Sequence, residues 1–404
     1  MWTDLPAPVT EALERLENGG HQGFLVGGCV RDLLRGVPPT DYDMTTSAKP
    51  REVMALFADK TVVETGIKHG TVTVFSHGMP LEITTFRTDG SYSDGRHPDG
   101  VTFASTIEED LSRRDFTVNA MAWSPKTGLV DPSHGREDLK KGLIRCVGEP
   151  SRRFDEDALR ILRGARFASV LGFALEENTR RAIHAQAPLL AKVSIERITT
   201  ELVKLLCGTG AVAVLTAFRD LIAFLLPELP METYDTRLQA LASVPRKPDL
   251  RLAVLLSDLH SCEAGKLLRR LRMENKLILR VTALIREQST LLTCTDTPNL
   301  LRLFRSFPPE LAEELLILTE ALHGTSMAQM RTRVEGLLAS SPCLSVAQLA
   351  IGGKELMELG IPAGEQMGEA LQMLLEGVTD GKWENSREAL LAAAKSWHSV
   401  CWKH

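Results

Sequence analysis

Strand-like alternation stops near residue 146 of this chain, and that switch limits the folds open to it more than any other feature of the sequence. Upstream, short apolar runs (GFLVGG, TVTVFS, LEITTF) sit among helical stretches and a turn-rich segment, TDGSYSDG. Downstream, Leu- and Ala-rich segments with helical spacing follow one another (DEDALRILRGARFASVL, SIERITTELVKLL, DLRLAVLLSDL, GEALQMLLEGV), broken by Gly, Pro and polar clusters. The pattern predicts an α+β unit on a small sheet, a hinge near Gly148-Glu149-Pro150 and an all-α remainder. At 404 residues, 44% of them hydrophobic, the chain is too long for one ordinary core.

Several function classes fall away on composition. No run approaches the roughly 20 apolar residues that span a bilayer, and the N-terminus MWTDLPAPVTEALERLENGG carries acids where a signal peptide needs a basic start. A cytoplasmic protein without a membrane partner is expected. The seven cysteines are scattered and never spaced C-x-x-C, which predicts neither zinc nor disulfides. A net charge of −5 is unlike a protein that coats nucleic acid indiscriminately, because phosphate neutralisation dominates such binding. RNA contact would need local patches, such as Lys266, Arg269, Arg270, Arg272, Lys276 and Arg280 in KLLRRLRMENKLILR; a solvated helix face explains that run equally well.

Four constellations carry chemistry. In GFLVGGCVRDLLRG an apolar strand enters Gly27-Gly28 and then a helix bearing Arg31. Glycines let a phosphate approach backbone N–H groups, and a guanidinium forks onto its oxygens; alone, such a turn is ordinary. Next comes Asp41-Tyr42-Asp43. On a strand, residues i and i+2 face one side, so both carboxylates would suit Mg²⁺ carrying a nucleoside triphosphate in a two-metal site. Tyr42 should point away from them. The cradle and the D-x-D on the following strand together place a triphosphate beside metal ligands. A third catalytic carboxylate is best supplied by Glu82 in PLEITTF, with Glu64 and Asp89 as weaker choices.

The third constellation is RRDFTVNA, residues 113–120. It reads either as a surface ion pair or as Arg114 reaching phosphate while Asp115 or Asn119 meets ribose hydroxyls. The fourth is EDALRILRGAR, residues 156–166. At about 100° per residue, one helix through it would put Arg160, Arg163 and Arg166 on the half opposite Ile161, Leu162 and Ala165. A solvated face would explain charges in general, but less well a face that is almost purely Arg, the residue suited to phosphates and planar base edges. A carboxylate such as Asp157 accepts from an exocyclic amine, and a guanidinium such as Arg160 donates to a ring nitrogen. Cytosine and adenine offer that pattern; uracil and guanine offer the reverse and leave both protein groups unpaired, at roughly 1–3 kcal/mol each.

In this order and at these distances, the motifs resemble the class II tRNA nucleotidyltransferases, the CCA-adding enzymes, with bacterial poly(A) polymerase a close relative, over most of the chain. Motif A of that family resembles Gly27 to Asp32 with Asp41 and Asp43; motif B resembles Arg113 to Ala120; motif C resembles Asp131, Gly135 and Arg145. Motif D resembles Glu156, Asp157 and Arg160, and motif E resembles Ser194 to Arg197 with Glu201. The resemblance implies a nucleotidyltransferase head (1–147), then a helical neck (148–205), body (206–285) and tail (286–404), an elongated hook that holds the tRNA acceptor arm. It implies that Asp41 and Asp43 bind metal, that Gly28, Arg31, Arg114, Arg160, Arg163 and Arg166 touch the incoming nucleotide, and that Asp157 with Arg160 acts as a protein template for CTP and ATP. The implied reaction is attack of the tRNA 3′-hydroxyl on the α-phosphorus, without a nucleic-acid template, releasing pyrophosphate.

Within the family, TFRTDGSYSDGRHPDG (85–100) resembles a flexible loop that CC-only members lack, no His-Asp dipeptide marks a phosphohydrolase domain, and the basic extensions of poly(A) polymerases are absent. An enzyme that adds only the terminal A shares every motif and stays open as the alternative. A non-catalytic RNA-binding relative is disfavoured because both Asp41 and Asp43 are present.

Overall fold

The computed structural model describes residues 5–64, 66–89 and 101–401. It divides into two compact units, residues 1–227 and 228–404. The chain enters the first through α1 (Ala7–Asn18), started by Pro6, whose buried residues Val9, Ala12, Leu13 and Leu16 repeat at helical spacing. There follow β1 (Gly23–Val26), α2 (Gly28–Leu34), β2 (Asp43–Thr46), α3 (Pro50–Leu56), β3 (Thr61–Val63), β4 (Thr71–Ser76) and β5 (Met79–Thr85). A small hairpin, β6 (Arg87–Asp89) with β7 (Val101–Phe103), leads to α4 (Ile107–Ser112), β8 (Ala122–Ser124), β9 (Gly128–Val130) and α5 (Gly135–Lys141).

Seven strands make one mixed sheet in the order β3-β4-β5-β2-β1-β8-β9. Its single parallel pairing joins β2 to β5 and sets Asp43 opposite Glu82; the other pairings are antiparallel. All four residues of β1 are buried. Leu25 faces a core with α1, α3 and the inner face of β4 and β5, whereas Phe24 and Val26 face another with Phe86, Ile107 and Leu111. That two-sided burial is why the strand reads as a continuous apolar run rather than an alternating one.

The rest of the unit is helical apart from two two-residue strands, β10 (Leu143–Ile144) and β11 (Ala174–Leu175), paired in parallel. Its helices are α6 (Pro150–Glu156), α7 (Leu159–Leu171), α8 (Glu177–Gln186), α9 (Ile195–Leu206), α10 (Ala211–Ala217) and α11 (Arg219–Leu225). The expectation of one helix across 156–166 is corrected here. Asp157 adopts φ −144, ψ 102, outside the helical region, and its carboxylate accepts the Leu159 N–H at 3.1 Å to start α7 afresh. An aspartate able to cap competes with its own helix, and at this position the cap wins.

Helices alone make the described part of the second unit. Its most buried is α12 (Pro248–Leu255), against which α13 (Asn275–Thr293) and α14 (Ala312–His323) pack. Within the basic run, Arg280 binds the buried Asp249 at 2.6 Å and is committed to the fold, whereas Arg270 meets Glu228 at 2.7 Å in an exposed pair. A separate core around Leu356, Leu374 and Leu390 closes the C-terminal region. No helix among the described residues is long and apolar enough to cross a membrane.

Candidate active site

The turn after β1 demands glycine. Gly27 has φ 78 and ψ −133, and a Cβ there would come within 3.4 Å of the Arg114 guanidinium. From the helix that follows, Arg31 grips Asp32 at 2.8 and 3.0 Å and donates to Asn119 Oδ1 at 2.7 Å. The next strand starts at Asp43, so Asp41 lies in the approach to β2 rather than on it. Tyr42, between them, packs against the core below.

Asp43 is the carboxylate of the site driven above its ordinary range. Enclosure by protein, with Asp41 and Glu82 nearby, pushes its carboxyl up to about 6 against a partial offset from Arg114. Repelling carboxylates of this kind are relieved by a divalent cation, and their hard oxygens suit Mg²⁺. Glu82 sits beside Asp43 in register yet does not line the cleft. Among the described residues, no three acid, imidazole or thiol groups gather closely enough to hold one ion together. Glu64 follows β3 at the edge of the sheet, and the side chain of Asp89 lies outside the described residues.

After α4, buried Asp110 holds both arginines of the RRD motif: Arg113 at 3.0 and 3.1 Å, Arg114 at 3.0 Å. Burial alone would raise the Asp110 carboxyl, but the two guanidiniums hold it below its ordinary value. Asp115 is equally committed. Burial works against its charge, yet Arg163, with help from Arg160 and the Phe116 N–H, brings it down to about 2. Motif C is structural: Asp131 accepts the Gly135 and Arg136 N–H groups at 2.7 and 2.9 Å, and a Cβ on Gly135 would fall 2.1 Å from the Thr117 carbonyl oxygen.

From α7, Arg160 is buried and braced by Glu156 at 3.0 Å and the Arg113 carbonyl at 3.0 Å. Arg166 binds Glu201 of α9 at 2.7 Å, and Arg197 of α9 reaches the Asp157 carboxylate at 3.1 Å. One cleft of about 580 Å³ gathers Gly28, Arg31, Asp41, Asp43, Arg114, Asp157, Arg160, Arg163 and Arg166. It also gathers residues that sequence reasoning passed over: Thr40, Arg87, Phe167 and Lys204. Phe167 looks like one more apolar position of a helix, and Lys204 like a solvated lysine; only the packing of α9 against α7 brings Lys204 to the cleft. Loop residues 90–100 lie outside the described residues. The thiols are bystanders: burial pushes Cys29 up to about 11 and Cys146 up to about 12.

Three families match in series: the Poly A polymerase head domain over residues 23–145, the "Probable RNA and SrmB- binding site of polymerase A" over 172–232, and tRNA nucleotidyltransferase domain 2 over 250–394. The CCA-adding enzyme of Geobacillus stearothermophilus is 40% identical over 395 residues, 95% of this chain and 96% of that protein. That of Enterococcus faecalis is 36% identical over 98% of each. The crystal structure of the Bacillus stearothermophilus CCA-adding enzyme in complex with CTP matches with a TM-score of 0.82 at 34% identity, covering 98% of this chain and 99% of that one. Likeness of this extent, running from the sheet to the C-terminal helices, makes the chain a member of the class II tRNA nucleotidyltransferases, the CCA-adding enzymes.

Proposed function

We propose that the chain, in the cytoplasm, adds C, C and A in turn to the 3′ end of tRNA from CTP and ATP, with Mg²⁺ held by Asp41 and Asp43. One observation carries this reading: a single cleft holds an acidic pair, a glycine and arginine cradle and the Asp157–Arg160 pair, so metal, phosphate and base binding are within reach of one nucleotide. The 3′-hydroxyl oxygen of the tRNA forms a bond to the α-phosphorus while the bond to the pyrophosphate oxygen breaks, and the hydroxyl proton passes to solvent water. Mg²⁺ bound there supplies positive charge that favours the ionised hydroxyl and the leaving pyrophosphate. Gly28, Arg31, Arg114, Arg163 and Arg166 hold the phosphates, and Asp115 or Asn119 meets the ribose. Asp157 accepts the exocyclic amine while Arg160 donates to the ring nitrogen. Glu82 acts on Asp43 as a charged neighbour from the adjoining strand rather than as a ligand.

A tRNA transcript lacking its CCA end, incubated with Mg²⁺ and CTP, ATP, UTP or GTP singly and together, tests this directly when the ends are sequenced. CCA is expected only with CTP and ATP together, and nothing after chelation. A addition confined to tRNA already ending in CC would instead identify the A-adding enzyme, and open-ended A tails a poly(A) polymerase.

Lys204 makes no ion pair among the described residues, whereas Arg31, Arg114, Arg160, Arg163 and Arg166 are each paired with a carboxylate. Lys204→Ala is expected to raise KM for CTP and ATP about three- to tenfold, the loss of one charge-assisted contact at a wet site. Steady-state kinetics with each nucleotide check this.

A further inference from the structure

Arg31 comes from α2, and Arg163 and Arg166 come from α7, yet all three guanidiniums meet at one aromatic ring. Their central carbons lie 5.7, 5.4 and 3.4 Å from the centroid of Phe167. The ring is 6% exposed and is held edge-on by the fully buried Phe116, at 5.7 Å and 71°. A buried phenylalanine on a helix is ordinarily packing and nothing more. Here packing alone leaves the convergence unexplained, because three guanidiniums from two helices share this one ring.

The physics of the arrangement is specific. Three like charges in a cleft repel one another, and each loses water on the side facing protein. The negative face of an aromatic ring offsets both costs without consuming an N–H donor, which a carboxylate would do. The carboxylates fix the other edges: Asp32 for Arg31, Asp115 for Arg163, Glu201 for Arg166. Arg166 gives only its Nε–H to protein, and its two terminal amino groups have no hydrogen-bond partner among the described residues.

We propose that Phe167 is a positioning residue, the common seat that aims Arg31, Arg163 and Arg166 at the phosphates of the incoming nucleotide. This rests on the triphosphate reading given above. Because phosphates are common to both substrates, the effect of Phe167 falls equally on CTP and ATP. It falls on binding rather than on the chemical step.

Phenylalanines carrying one, two and three ring fluorines, placed at position 167 of the full chain, keep shape and volume while draining charge from the ring face. Titration with inorganic tripolyphosphate is the first readout, since it needs neither tRNA nor turnover. Its Kd is expected to rise stepwise, to about three- to tenfold at three fluorines. The KM for CTP and for ATP should climb in parallel, with kcat changing less than about twofold. An unchanged tripolyphosphate Kd across the series overturns the proposal, even if Phe167→Leu is damaging, since that pattern means packing alone. A rise confined to one nucleotide overturns it as well, by assigning the ring to the base. If wild-type protein adds nothing to tRNA, the nucleotidyltransferase reading fails, while the tripolyphosphate titration still decides the role of Phe167.

Discussion

Asp43→Asn is expected to cost about 10³-fold or more in kcat for nucleotide addition and, in the same protein, to raise the melting temperature. On the metal-binding role proposed above for Asp41 and Asp43, the activity loss follows from removing one of the two carboxylates that would hold Mg²⁺, whose charge stabilisation of the transition state would be worth several kcal/mol. The stability gain follows from crowding of like charges. Asp43 titrates at about 6 instead of its ordinary 3.8 because of its enclosure and the nearby Asp41 and Asp43-facing Glu82. A carboxyl raised on folding favours the protonated form, so its ionisation opposes folding fully above pH 6 and not at all below 3.8. Protein crowds the carboxylate, yet the residue is exposed to solvent and lines the cleft, so water screens part of this, leaving about 1 kcal/mol, or about 2–4 °C. In metal-free buffer at pH 8, calorimetry should find the variant more stable than wild type, and the difference should vanish near pH 4. Adding Mg²⁺ should stabilise wild type and leave the variant behind. A variant that is inactive and also less stable at pH 8 would refute the electrostatic account.

The second large effect concerns fidelity. Asp157→Ala is expected to lower the preference for CTP over UTP by about 10- to 100-fold in kcat/KM, since the carboxylate proposed to reject the uracil carbonyl is gone. The carboxylate is exposed to the cleft and held by Arg197 and the Leu159 N–H, so the change removes a cap along with a contact. Competition assays with mixed nucleotides measure the ratio independently of total activity. Discrimination that survived intact would move base reading elsewhere in the cleft.

How much was readable in advance follows the length of the interactions involved. The glycine turn, the helix after it and the short strands were legible because alternation, glycine placement and caps act within a few residues. Helical spacing put Arg160, Arg163 and Arg166 on one face, but their meeting with Arg31 and Arg114 in one cleft was legible only through resemblance, since the contacts that place them are distant in sequence: Arg163 to Asp115, Arg166 to Glu201. The break at Asp157 was missed because helical periodicity continues through it while a single side-chain cap interrupts it. Phe167 and Lys204 were invisible for another reason: neither residue type departs from what its helix would carry anyway, and the place of Lys204 arises from α9 lying along α7 while that of Phe167 arises from Arg31 of α2 reaching its ring.

The unequal anchoring of Arg160 and Asp157 bears on how such a specificity could change over generations. Arg160 is buried and joins Glu156, the Arg153 carbonyl and the Arg113 carbonyl, so a lineage that alters it gives up a brace between two parts of the protein before gaining any new base. Asp157 carries two contacts, both at its carboxylate. Drift in nucleotide choice should therefore enter through the acid, with the arginine as the later and rarer substitution, and libraries built to redirect the enzyme would do well to hold position 160 fixed.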